Sequence, residues 1–129
     1  MAKWHAYGRC KTRLSKDIGK ICSANVQRKM TEHTVAVAKS LEKRGLIDIS
    51  IGISGLGLKK SKRWSKELGI KNFNLQGRGC LGEKMRRQIL INKKFSLKKP
   101  KNIIFIGTDL PDICHMDLLN TLSKLKKND

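Results

Sequence analysis

Apolar residues recur at helical spacing from about Asp17 to Arg44, at Ile18, Ile21, Cys22, Val26, Met30, Val37 and Leu41, and Gly45 follows as a stop signal. The spacing predicts one long helix, weakened near its start by Gly19. Leu46 to Ser54 then switches to period two, with Ile47, Ile49, Ile51 and Ile53 alternating against Asp48, Ser50 and Gly52, the pattern of a strand with one packed face. Ser61 to Leu68 reads as a short basic helix capped by Gly69, Asn72 to Leu75 as a short extended segment, and Gln76 to Gly79 as a loop. Helical spacing returns over Leu81 to Asn92, with Met85, Ile89 and Leu90. Lys93 to Lys101 reads as a basic connection closed by Pro100. Residues 102–106 carry the fully apolar run Ile103-Ile104-Phe105-Ile106, expected to be a buried strand, and a last helix is expected from about Met116 to Lys126. Residues 1–16, basic and glycine-containing, read as a loop.

Helices alternating with strands indicate an α/β sandwich, a three-layer α/β/α arrangement around a largely parallel sheet. At 129 residues the chain is one domain's worth, 1–129, with no internal repeat and no low-complexity linker. Buried strands of such sheets aim their C-terminal ends at the ligand crevice. Gly107-Thr108-Asp109 follows the last apolar run directly, so Asp109 is expected at the mouth of that crevice.

Composition makes that acid conspicuous. Lys plus Arg number 29 against 10 Asp plus Glu, a formal charge of +19, which attracts polyanions: nucleic acid, anionic membrane or phosphorylated ligands. Much of the lysine is scattered over helix surfaces, as in a solubilising coat. Cys10, Cys22, Cys80 and Cys114 form no CxxC pair, and zinc-finger spacing to His5, His33 or His115 is absent. Free thiols in a reducing compartment are the simplest reading. No apolar run approaches the ~20 residues of a membrane span, and the N-terminus carries no signal-peptide core, so a cytoplasmic protein is expected.

Three loops carry candidate chemistry. Gly8-Arg9-Cys10-Lys11-Thr12-Arg13-Leu14 combines a glycine for close backbone approach with charge and a hydroxyl, just ahead of a helix whose dipole would add to a phosphate cradle. It lacks the spacing of a Walker A loop and equally suits a plain basic loop. Gln76-Gly77-Arg78-Gly79-Cys80-Leu81-Gly82-Glu83-Lys84-Met85 places three glycines at a helix start, where backbone could wrap a ligand or simply form a turn and cap. In Gly107-Thr108-Asp109-Leu110-Pro111-Asp112, Asp109 offers oxygen to a divalent cation. Asp112 suits an N-cap of the last helix, Asp117 its first turn, and His115 its start.

Together, GRCKTRL, LQGRGCLGEKM and IGTDLPDI resemble, in order and spacing, the DUF2064 group, a bacterial family of glycosyltransferase-like proteins within the GT-A, or nucleotide-diphospho-sugar transferase, superfamily. The likeness runs from Ala2 to about Leu122. It implies a Rossmann-like, GT-A-like fold binding a nucleoside diphosphate sugar along the C-terminal strand ends, with transfer of the sugar to an unknown acceptor. By the same resemblance Gly8, Lys11, Thr12 and Arg13 would contact the nucleotide and its phosphates. Gly79, Leu81 and Gly82 would shape the nucleotide side of the crevice, and Asp109 would hold Mg²⁺ or Mn²⁺ against the diphosphate. His5 and Tyr7 stand where the family's first motif has prolines, and Cys80 where its second motif has an acid. The family's first apolar strand and its C-terminal Asp-Gly-Gly-Tyr segment are not matched in this chain. The incomplete sheet is therefore expected to be marginally stable, or to be completed by another chain or by a homo-oligomer.

Two other readings stand beside the glycosyltransferase-like one. The charge suits a basic nucleic-acid-binding module with a steep salt dependence, although no recognition motif accompanies it. The departures in the second motif and at the ends suit an inactive remnant that keeps the fold without the reaction.

Overall fold

The computed structural model describes residues 1–95 and 102–127. Its elements run β1 (Ala2–Lys3), α1 (Leu14–Ile18), α2 (Lys20–Glu42), β2 (Ser50–Ser54), α3 (Leu58–Glu67), β3 (Asn72–Leu75), α4 (Leu81–Phe95) and α5 (His115–Lys127). The three strands form one parallel sheet in the order β1-β2-β3, with Ala2 opposite Ile53 and Ile51 opposite Phe73. This is an incomplete Rossmann-like α/β fold.

The isoleucine alternation does what period two requires. Ile51 and Ile53 are buried against Val35 of α2 and Trp64 of α3, with Ala2 and Ile70 completing the core and Ile49 packed at its margin. Gly52, between them, faces the other way: a Cβ there would stand 3.2 Å from Oε1 of Gln88 on α4. Helices α2 and α3 thus cover one face and α4 the other, the two-sided covering a parallel sheet needs. The helix stops at Gly45 and Gly69 are as expected. Both adopt positive φ, and each closes its helix with paired bonds, Leu46 N–H to Leu41 O and Gly45 N–H to Glu42 O, Ile70 N–H to Ser65 O and Gly69 N–H to Lys66 O.

Several expectations are corrected. Residues 1–16 are not all loop, since Ala2–Lys3 pair with β2 and Leu14 begins α1. The single helix over Asp17–Arg44 is two helices, because Gly19 sits at φ 84°, ψ 162°, outside any helical region. Its expected apolar stripe is the packed face only in part: Leu41 is buried and Val26, Met30 and Val37 half-buried, but Ile18, Ile21 and Cys22 are exposed, and Ser23, Ala24, Gln27, Thr31, Thr34 and Val35 supply the rest of the buried face. Burial of those hydroxyls is tolerated because each bonds a carbonyl of the preceding turn, Thr31 to Gln27 O and Thr34 to Met30 O, both at 3.0 Å.

The strand expected over Leu46–Ser54 begins at Ser50, and the α3 helix starts at Leu58 rather than Ser61. Residues 102–106 form no strand, although Ile103 to Ile106 are half-buried. The Met1 ammonium, just ahead of the two-residue β1, donates to Ile106 O. Helix α4 runs on to Phe95, and the rest of the basic connection, 96–101 with Pro100, lies outside the described residues.

Candidate functional site

Because the strands are parallel, the segments leaving β1, β2 and β3 all emerge at one edge of the sheet. Two of the three loops singled out in the sequence meet there. Lys11 Nζ donates to Asp109 Oδ1 at 2.9 Å, joining segments 98 positions apart. Asp109 is 70% exposed and Lys11 19% exposed, so an acid standing in water is held by a lysine whose stem is packed. A pair this exposed contributes at most about 1 kcal/mol, which makes it easy to open.

Helix α2 positions the Asp109 loop. Gln27, buried on α2, donates to the buried Thr108 hydroxyl at 3.4 Å, and His33 contacts Ile113 O at 2.9 Å. Asp109 is therefore flanked on both sides by residues tied to one helix. Neither Gln27 nor His33 was singled out in the sequence. A glutamine among the small and hydroxylated residues of one helical face was the available signal.

The Lys11 loop departs from regular geometry. Lys11 itself has φ 43°, the one positive-φ residue besides glycine among the described residues, and Gly8 has φ 68°. Lys11 is fixed on both sides: Cys10 is buried with its Sγ on Ala6 O at 3.3 Å, and Lys11 O accepts the Ser15 N–H at 2.9 Å. A Cβ at Gly8 would touch the Lys20 stem at 3.4 Å, bringing a further cation beside the loop. Thr12 and Arg13 are exposed, with Arg13 in the N-cap position of α1. The dipole expected here is slight, because the helix that follows has five residues and the 23-residue α2 starts only at Lys20.

The second loop is built mainly as a cap. Gly77 and Gly79 have φ 73° and 110°. The Cys80 N–H donates to Glu83 Oε2 at 2.7 Å, closing the start of α4. Arg87 reaches back to Gln76 O, and also to Arg78 O at 3.1 Å. Leu81 is 66% exposed and Gly82 is exposed, so both are accessible from solvent. The link to the sheet is Gln76, another residue not singled out, which is buried and donates to Gly52 O at 2.9 Å and Ala2 O at 3.1 Å.

At α5, the cap is not Asp112. Asp117 accepts the Cys114 N–H at 2.8 Å, which holds its carboxyl below the usual range, and His115 is the first helical residue, as expected. Cys10, Cys22, Cys80 and Cys114 are all free thiols. Among the described residues no three His, Cys, Asp or Glu side chains gather as a metal cage, and no helix is long and apolar enough to cross a membrane.

No curated protein and no solved structure matches the chain. Residues 34–129 match the family described as "Uncharacterized protein conserved in bacteria (DUF2064)". The matched span holds the Gly77–Glu83 and Asp109 loops, while the Lys11 loop precedes it, so the likeness traced from Ala2 is supported from position 34 onward. With well over half of its length matched, the chain belongs to the DUF2064 family.

Proposed function

We propose that this sheet edge binds a nucleoside diphosphate sugar together with Mg²⁺ or Mn²⁺, and that the chain is a glycosyltransferase-like protein of the GT-A type. The observation carrying this reading is the Lys11–Asp109 pair, which joins a basic loop and an acid at the end of the sheet. The donor set suits a cation of this kind. Mg²⁺ is commonly held by one or two carboxylates with substrate phosphates supplying further oxygens, and Asp109 is an accessible carboxylate. When bound, the cation would neutralise charge developing on the departing diphosphate.

The chain's own residues have separable tasks. Asp109 would hold the cation through a carboxylate oxygen. Lys11, released from Asp109, turns its ammonium to the diphosphate, with Arg13 and the Thr12 hydroxyl on the exposed side of the same loop. Gly79, Leu81 and Gly82 form a low wall that lets the nucleotide approach backbone closely.

Isothermal titration with UDP-, GDP- and ADP-glucose, with and without Mn²⁺, tests this. Metal-dependent binding of one donor, lost in Asp109→Asn, is the expected result. No binding of any of the three, or an Asp109→Asn variant indistinguishable from wild type, overturns it. The charge of +19 keeps nucleic-acid binding as the second reading. A steep salt dependence in filter binding, with no donor binding, favours that reading.

A further inference from the structure

A second concavity, on the face between α2 and α3, contains neither Lys11 nor Asp109. It is a cleft of about 570 Å³. Its wall is aromatic: Trp4 and Trp64 meet edge to face at 4.9 Å and 85°, and the His5 ring lies 3.9 Å from Trp4. Its rim is polar and charge-balanced, with Arg28 and Lys39 against Glu32 and Glu67, in a protein whose total charge is +19. His5 Nδ1 is buried and has no hydrogen-bond partner among the described residues.

Each feature narrows the ligand. A buried ring nitrogen left unpaired costs free energy, which a turn of the His5 ring toward a ligand hydroxyl would recover. Both rim carboxylates are already ion-paired, Glu32 to Arg28 and Glu67 to Arg63, so neither is left as a free charge to draw in a cation. The near-perpendicular indoles, with His5 already against Trp4, leave no parallel slot for a planar base between two rings. Trp64 is buried and backs the half-buried Trp4, whose accessible surface offers a ring face on which the weakly positive C–H hydrogens of a saturated ring pack. Carboxylates and a guanidinium around such a face suit adjacent hydroxyls, as acceptors and donors respectively.

We propose that this cleft is a binding site for a neutral carbohydrate ring, separate from the Lys11–Asp109 edge and independent of the donor reading. Burial first, and the Arg28 charge second, lower the His5 pKa, keeping the imidazole neutral and able to exchange one hydrogen bond with a hydroxyl near pH 7. Arg28 holds Glu32 at 2.8 Å and Arg63 holds Glu67 at 3.0 Å, so both carboxylates are set before a ligand arrives.

The chain has two tryptophans and both line this cleft, so their emission reports on it directly. The experiment titrates wild type, Asp109→Asn, Glu67→Gln and His5→Phe with the methyl glycosides of glucose, galactose, mannose and N-acetylglucosamine, folding being checked by far-UV circular dichroism. Uridine and tetramethylammonium serve as planar and cationic probes. A saturable change is expected for at least one glycoside, with half-saturation on the order of 1–10 mM, the scale for a ligand of about a dozen heavy atoms. It is expected unchanged in Asp109→Asn and at least fivefold weaker in Glu67→Gln. His5→Phe, which keeps an aromatic ring and removes both ring nitrogens, is expected to weaken it similarly. The proposal is overturned by no saturable change with any glycoside, by saturation with uridine or tetramethylammonium instead, or by unaltered half-saturation in folded Glu67→Gln.

Discussion

Replacing Gly79 by alanine separates the two uses open to the second loop, helix cap and ligand wall. Gly79 has φ 110°, where an L side chain is strained by roughly 2 kcal/mol. The new Cβ would collide with Glu83 Oε2 and stand 3.1 Å from its Cδ, so the Glu83 side chain must leave. Moving a flexible chain end costs little in itself. Leaving, however, abandons the 2.7 Å bond from the Cys80 N–H, worth about 1 kcal/mol as a helix cap. The sum is about 3 kcal/mol, or a fall in Tm of roughly 10 °C for a domain of this size. Glu83→Ala alone loses only the cap, about 1 kcal/mol. In its background Gly79→Ala retains only the backbone strain, so the double variant falls short of additivity by about 1 kcal/mol. Urea unfolding followed by tryptophan emission measures all four corners of the cycle. Strict additivity, or a Gly79→Ala loss below about 0.5 kcal/mol, refutes the cap geometry. Loss of donor binding without loss of stability would make Gly79 a ligand-wall residue alone.

Three further outcomes are expected. Asp109→Asn frees the Lys11 ammonium, so metal-free affinity for a nucleoside diphosphate is expected to hold or rise while the response to Mn²⁺ vanishes, both read by titration calorimetry. His5, whose pKa is lowered mainly by burial, binds its proton more readily when unfolded. Stability is therefore full above its ordinary value near 6.5 and declines as pH falls below it, and urea midpoints across that range are expected to show this decline flattened in His5→Phe. Ile53→Ala removes a side chain that is 1% exposed at the centre of the sheet, and should cost about 2–5 kcal/mol in the same unfolding assay.

How far the sequence was legible depended on whether its pattern and its packing agreed. Ile49, Ile51 and Ile53 alternate because that face of β2 packs on α2 and α3 while Gly52, also buried, meets α4, and the core follows the pattern. The glycine stops at 45 and 69 are local chemistry and survive any tertiary context. Helix α2 defeated the reading because hydrophobicity was a poor guide to its packed side: hydroxyls satisfied by their own preceding turn bury as readily as Ile18 and Ile21 remain exposed. Ile103 to Ile106 read as a strand from composition, but a ladder also needs a partner, and β1 has two residues. The Lys11 and Asp109 loops were each recognisable alone. Their pairing was not, because it depends on how α2 carries Thr108 and Ile113.

Lys11 is where local rules and the candidate chemistry meet. A lysine at φ 43° is unfavourable by itself, and persists because buried Cys10 on one side and the Ser15 N–H on the other fix its backbone. That geometry delivers its ammonium to Asp109 across most of the chain's length. As a stabilising device the pair is a poor return on a strained backbone, since an acid that is 70% exposed gains little from it. As a preset it makes sense. The carboxylate and the ammonium hold each other at the position where a cation and a phosphate would exchange for them, and each ligand that enters frees the partner of the other. On the proposed reading, metal and diphosphate then bind with positive coupling, and removal of either side chain reduces that coupling to what direct phosphate–metal coordination supplies.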